Sequence, residues 1–208
     1  MRSKEKSTRV IFVRHGKTDY PTDRIYCDDI EDPELNSEGV VQARVAATYF
    51  EGIKPSAVFS SPAARTMATA REIAHITGNE IQFNKALRER RFGVWEGLFF
   101  NEVEKKHPHE YLKWKKDKIF YTPANGEAIP EFQARVCGCV EYLASNYIDE
   151  TIVIVTHVGA IRMAVTRAIR IPLAEYRQIN IAYASITTID YGVSKNNLMN
   201  LSVVGYSD

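Results

Sequence analysis

The apolar run Val10-Ile11-Phe12-Val13 stops at Arg14-His15-Gly16, so a fixed cation and an imidazole leave a buried strand at one point, where a glycine lets the chain turn. A second imidazole repeats the pattern, since Thr151-Ile152-Val153-Ile154-Val155 ends in Thr156-His157-Val158-Gly159. Between them Ala57-Val58-Phe59 ends in Ser60-Ser61-Pro62, with Arg65 close behind. A phosphate monoester needs such groups, because phosphoryl transfer spreads charge over equatorial oxygens and is catalysed mainly by positioning and fixed positive charge. Taken singly, each has an ordinary reading: a basic residue and a histidine at a strand exit, Arg65 as a solvated helix residue, His157 as a hydrogen-bonded loop histidine. Convergence argues for chemistry. Open α/β sheets bind ligands beyond the carboxyl ends of their strands, which puts His15, Arg65 and His157 on one rim. The N-termini of the helices that follow add partial positive charge and backbone N–H groups suited to an anion.

The elements that must position these residues alternate between apolar runs and helical patterns, which predicts a three-layer α/β/α sandwich with a mostly parallel central sheet. A first strand is expected at about residues 9–13. A helix capped by Asn36 or Ser37 carries Val41, Val45, Ala46, Tyr49 and Phe50 at helical spacing. After the strand at 57–59, a serine cap with Pro62 at the first helical position opens a helix through Ala64, Met67, Ala68 and Ile73 as part of a βαβ crossover. A long helix at about 127–147 places Phe132, Val136, Val140, Leu143 and Tyr147 on one face. The strand at 151–155, apolar on both faces, is expected at the sheet centre. Strands at about 185–191 and 198–204 are expected to pair as a hairpin. No internal repeat or low-complexity tract is present.

Length and composition bound the rest. The 208 residues, 45% hydrophobic and 25% charged, fit one domain over 1–208, with a small helical lid inserted at about 98–125. Lys plus Arg at 27 against Asp plus Glu at 26 gives a net charge of +1, so any anion site is local and neither nucleic acid nor an anionic membrane is expected as a partner. The polar start at residues 1–7 and the lack of a long apolar run predict a cytoplasmic protein. Cys27, Cys137 and Cys139 have no metal-ligand spacing, so reduced thiols and no metal site are expected.

The chain resembles the histidine phosphatase superfamily, also called the phosphoglycerate mutase-like family. The matching pieces are Val13-Arg14-His15-Gly16-Lys17-Thr18, Pro33 to Ala43, Ser60-Ser61-Pro62-Ala63-Ala64-Arg65-Thr66, Leu87 to Gly97, and Val155 to Arg162, in family order along nearly the whole chain. The resemblance implies an enzyme that works through phosphohistidine with no metal and no cofactor. His15 resembles the nucleophile. Arg14, Arg65 and His157 resemble the cradle for the phosphoryl oxygens, with Thr18 and Val158 added to the substrate-binding set. Glu89 resembles the general acid, which donates to the leaving alkoxide and then serves as base for the water that cleaves phosphohistidine. Glu96 competes for that role; its place in Trp95-Glu96-Gly97 fits loop orientation better. His15 must be neutral to attack: the neighbouring cations should depress its pKa, and a backbone carbonyl should hold its other nitrogen as donor. Two arginines and a protonated second histidine are expected to dominate phosphate binding.

Within the family, hydrolysis is favoured over mutase activity. The positions of the tyrosine and lysine by which the cofactor-dependent mutases hold a carboxylate are here Phe92 and Phe100, an asparagine after the second histidine is here Gly159, and no paired arginines lie between Gly97 and Gly126. Asn125-Gly126-Glu127 with Phe132, Gln133, Arg135 and Val136 looks instead like the broad-specificity and α-ribazole phosphate phosphatases. The remaining alternative, a non-catalytic phospho-ligand binder, conflicts with the presence of both His15 and Glu89. The expected partner is a small-molecule phosphate ester, and a homodimer is left open. One departure stands out: the asparagine usually found six residues after the nucleophile is here Pro21, with Thr18 and Thr22 as candidate replacements. The aromatic stretch Phe99, Phe100, Tyr111, Trp114, Phe120 and Tyr121 reads either as a pocket for a ring-bearing leaving group or as ordinary packing of two short helices.

Overall fold

The alternation within β1 (Ser7–Arg14) decides the layering. Val10 and Phe12 point into one apolar cluster, Ile11 and Val13 into another, and all four are buried. The computed structural model describes residues 6–26 and 31–192, and the backbone of 196–200. After β1 come α1 (Ser37–Thr48), β2 (Ala57–Ser60), α2 (Ala64–Thr77) and β3 (Ile81–Phe83). Two short helices, α3 (Phe100–Lys106) and α4 (Pro108–Lys116), precede α5 (Ile129–Ser145), β4 (Thr151–Thr156), α6 (Val158–Ile169), β5 (Ile186–Gly192) and β6 (Asn196–Asn200). The sheet order is β3-β2-β4-β1-β5-β6. The first four of these neighbours are parallel, while β5 runs antiparallel to β1 and β6 antiparallel to β5. Helices α5 and α6 cover one face through Phe132, Val136, Val140, Ile161 and Met163, and α1 and α2 cover the other through Ala46, Ala47, Ala70 and Ile73, joined by Phe50 from the turn after α1. This is the expected three-layer α/β/α arrangement around a mostly parallel sheet. No helix among the described residues is long and apolar enough to cross a membrane.

Several boundaries differ from expectation for identifiable reasons. Val41 and Val45 lie outward, 46% and 39% exposed, and α1 buries Gly39, Ala43, Ala46 and Ala47 instead. The rotation follows from a close backbone approach, because a Cβ on Gly39 would stand 2.0 Å from the Lys17 carbonyl oxygen and one on Gly16 2.3 Å from that of Gly39. Asn36 caps α1 by accepting from the Gly39 N–H. The serine cap and first-position Pro62 expected for α2 are absent: the helix starts at Ala64, and the carboxylate of Asp32 accepts its first N–H from across the loop. The helix expected at 127–147 is trimmed at both ends, with Pro130 in its first turn, and Glu127 is drawn off to Arg135. Strand β3 was not foreseen, its three residues carrying no clear period. The C-terminal hairpin forms, starting at Asn196. The rest of its expected second strand, 201–204, lies outside the described residues, as do Cys27 and residues 1–5. Cys137 and Cys139 are free thiols, pushed up by burial to about 12 and about 11.

Candidate active site

Because β2, β4 and β1 are parallel neighbours, their carboxyl ends share one rim. Arg14 and His15 leave the end of β1, Ser60 and Ser61 that of β2, and His157 that of β4. Two backbone bonds bind the three turns together, from His15 N to Thr156 O at 3.0 Å and from Ser61 N to Val155 O at 3.0 Å. Arg65 sits in the first turn of α2. Glu89 arrives from a fourth segment, whose path is fixed by the Thr156 hydroxyl donating to Leu87 O at 2.6 Å and by Arg135 donating to the carbonyls of Ala86, Arg88 and Glu89. Arg14, His15, Thr18, Arg65, Glu89, His157 and Val158 all border one cavity of about 580 Å³, within the usual range for small-ligand sites.

The protonation of His15 follows from its neighbours. Its Nδ1 lies 2.7 Å from the Gly16 carbonyl oxygen, which can only accept, so Nδ1 carries the hydrogen. Burial, then the charges of Arg65 and Arg14, hold the ring well below the ordinary histidine value, so it is neutral and Nε2 keeps its lone pair. His157 is fully buried, with its ring centroid 5.4 Å from that of His15. Its Nδ1 faces the Arg65 guanidinium at 2.8 Å and must accept, so Nε2–H donates to the Ser61 hydroxyl at 2.8 Å. Burial first, then Arg65 and His15, press its pKa well down. The expected protonated second histidine is therefore corrected: in this arrangement His157 is neutral and holds Arg65, because a second cation beside that guanidinium would be repelled.

The guanidiniums are held as donors facing the cavity. Arg14 stacks 3.7 Å from the Tyr183 ring centroid and donates to Ile181 O at 2.7 Å, while its buried Nε–H has no hydrogen-bond partner among the described residues. Arg65 is 2% exposed and is steadied by Tyr26, whose ring centroid lies 4.0 Å away, and by Asp32 at 3.7 Å. Both oxygens of Glu89 accept backbone N–H bonds, from Arg90 at 2.9 Å and from Gly159 at 3.0 Å. Glu96 faces elsewhere, accepting from Phe92 N at 2.7 Å and Gly93 N at 3.2 Å. Pro21 and both candidate hydroxyls, Thr18 and Thr22, border the cavity. Of the aromatic stretch only Phe100 reaches it, joined by Phe92. Trp95, Tyr111, Trp114 and Tyr121 pack on one another and on Phe100 with centroids 5.0–6.4 Å apart, so most of the stretch is packing.

Residues without a role in the sequence also border the cavity: Tyr26, Tyr176, Arg177 and Tyr183, with Arg90 and Arg162 entering only as parts of motifs. None stands at a strand end or in a recognisable period, so only tertiary placement reveals them. The two buried neutral rings predict a pH-dependent stability. An unfolded histidine binds its proton near 6.5 whereas these stay neutral well below that, so the stability they contribute is complete above about 6.5 and is lost as pH falls. The unfolding free energy should drop by roughly 1.4 kcal/mol per pH unit for each ring, or about 2.7 kcal/mol for the pair, down to their folded pKa values. Urea titrations between about pH 7.5 and about pH 5 read this directly, and a level midpoint over that range would contradict neutral rings.

A sequence model of the histidine phosphatase superfamily (branch 1) matches residues 10–203. The chain is 26% identical over 196 residues to phosphoserine phosphatase 1 of Hydrogenobacter thermophilus, covering 94% of this chain and 92% of that protein. A solved structure of mycobacterial glucosyl-3-phosphoglycerate phosphatase matches with a TM-score of 0.80 at 26% identity, over 97% of this chain and 100% of that one. The alpha-ribazole phosphatase from Shigella flexneri shares the fold with a TM-score of 0.83 at 24% identity, over 96% and 100% of the two chains.

Proposed function

As this chain belongs to the histidine phosphatase superfamily and its relatives are named phosphatases, we propose that it hydrolyses small phosphate esters through a phosphohistidine on His15, with no metal. The observation that carries the reading is the tautomer of His15: Nδ1–H on the Gly16 carbonyl leaves Nε2 as a free lone pair on a ring under the charges of Arg65 and Arg14. Arg14, Arg65 and the N-terminal turn of α6 beginning at Val158 receive the phosphoryl oxygens. The unpartnered Arg14 Nε–H is a donor available to one of them. His15 Nε2 attacks phosphorus as the P–O bond to the leaving group breaks, and Glu89 gives its proton to the departing alkoxide. Water, deprotonated by Glu89, then attacks the phosphohistidine, releasing phosphate and restoring both side chains. Thr18 or Thr22 supplies the hydroxyl in place of the asparagine that Pro21 replaces.

Gly159 has a particular part in this scheme. A Cβ there would stand 2.1 Å from Glu89 Oε1, so the carboxyl can occupy its position only beside a residue with no side chain. Gly159→Ala should fold normally, since alanine favours the helix and the displaced atom is the end of a flexible side chain. Its kcat should nevertheless fall roughly 10- to 100-fold through misplacement of Glu89. Thermal melting together with phosphate release checks both halves; unchanged turnover would show that the position of Glu89 is immaterial.

The reading as a whole is tested by phosphate release from phosphoserine, 3-phosphoglycerate and α-ribazole phosphate, with isomerisation of the second measured in parallel. Release with dominant turnover on at least one ester supports it. Isomerisation outpacing release, or no release from any ester tried, overturns it.

A further inference from the structure

Besides Arg14 and Arg65, the same cavity is bordered by three further guanidiniums: Arg162 from α6, Arg177 from the 3-10 turn Leu173–Gln178, and Arg90 from the residue after Glu89. Arg162 spends its Nε on Ile179 O at 2.8 Å, and Arg177 its Nε on the Tyr176 hydroxyl at 3.0 Å. The terminal amino groups of both make no hydrogen bond among the described residues. Arg90, 6% exposed, donates from Nε to Glu127 O at 2.7 Å and from one amino group to Tyr121 O at 3.3 Å. Every oxygen they meet is neutral, and among the described residues no carboxylate stands within ion-pair distance of any of the three.

They are also close enough to repel one another. Arg177 acts on both Arg162 and Arg90, and Arg162 acts on Arg14. Glu89 acts on Arg14, Arg65, Arg90 and Arg162 alike; Arg90 also feels Glu127, whose carboxylate is already paired with Arg135 at 2.7 Å. By contrast Arg24, on the same cavity wall, is matched by Glu31 at 2.6 Å. A phosphoryl dianion held by Arg14 and Arg65 would still leave Arg162, Arg177 and Arg90 with no anion at ion-pair distance among the described residues. Like charges gathered around open donors cost electrostatic energy that an anion between them recovers.

We propose that Arg162, Arg177 and Arg90, with the Tyr176 hydroxyl, form a subsite for a second anionic group on the leaving portion of the ester, a carboxylate or a second phosphate. The proposal rests on the phosphatase reading for the location of the phosphoryl end. The preferred substrates are then phosphomonoesters that bear a further acid group, and specificity is set on α6 and the 172–178 segment rather than at the reacting phosphorus.

Equilibrium binding separates this from turnover. Calorimetry would compare propylphosphonate, which offers one anionic end, with 3-phosphonopropionate and propane-1,3-diphosphonate, which add a carboxylate or a second phosphonate. The wild type should bind at least one two-ended ligand about 10-fold or more tightly than propylphosphonate, the gain typical of charge-assisted hydrogen bonds. Which of the two gains identifies the second group. In Arg177→Gln that advantage should shrink to about threefold or less, and in Arg162→Gln likewise, with propylphosphonate as the internal reference. Arg177 is exposed, so its variant folds and carries the test if the Arg162 variant does not. No advantage in the wild type, or an advantage surviving in Arg177→Gln, overturns the subsite. An advantage that is present and arginine-dependent in a protein that releases no phosphate from any ester would keep the subsite and discard the phosphatase reading.

Discussion

His15→Ala should reduce phosphate release by roughly 10⁵-fold or more, the scale on which removing a covalent nucleophile is felt. Nothing else in the cavity can replace it. His157 has both ring nitrogens committed, to Arg65 and to Ser61. The variant should fold, because the Nδ1 bond of His15 reaches only the adjacent Gly16 carbonyl and ties no distant segment in place. Two measurements check the prediction. Steady-state release should fall to background, and acid-labile, base-stable radiolabelled phosphate trapped on the wild-type protein should be absent from the variant. Turnover within about tenfold of wild type would remove His15 from the covalent step.

Glu89→Gln should slow turnover by roughly 10²- to 10⁴-fold with substrate still bound, the range expected of general acid–base catalysis. The amide can accept one of the two N–H bonds that Glu89 now receives, from Arg90 or from Gly159, but it cannot accept both on separate oxygens or surrender a proton. The defect should be largest for esters of poorly acidic alcohols, which need the proton most. With p-nitrophenyl phosphate the first step should survive better, so a burst of nitrophenol ahead of slow release is the expected signature. Near-normal kcat would return the role to another group. Glu96 is badly placed for it, since its carboxylate is engaged by the N–H groups of Phe92 and Gly93 and lies outside the cavity wall.

The parts of this site visible in the sequence share a property: each sits at a point where an apolar period breaks. Arg14-His15-Gly16 and Thr156-His157-Val158 interrupt runs that are buried on both faces, so both the strand and its end are legible from residue type alone. Glu89 lies in no such period, and only the resemblance of Leu87 to Gly97 to a family motif singled it out. Ser60-Ser61-Pro62 has the chemistry of a helix start, yet α2 begins only at Ala64. In the fold the Ser61 hydroxyl instead receives the N–H of His157, and Asp32 caps the helix. Val41 and Val45 share the helical spacing of α1 yet face outward, because a hydrophobic period does not record how closely two backbones approach, as those at Gly16 and Gly39 do here.

By itself, then, the order of apolar runs and their polar ends determined the layered parallel sheet and the residues at its carboxyl rim, because strand burial and side-chain alternation are local properties of the chain. Tertiary structure alone decided the protonation of His157, since that depends on a guanidinium and a hydroxyl brought from distant segments. It also decided the gathering of Arg90, Arg162 and Arg177 around one cavity, where each is an unremarkable basic residue in its own segment. Electrostatic fields act through space and not along the chain, so charges remote in sequence become one site only once folding has set the distances between them.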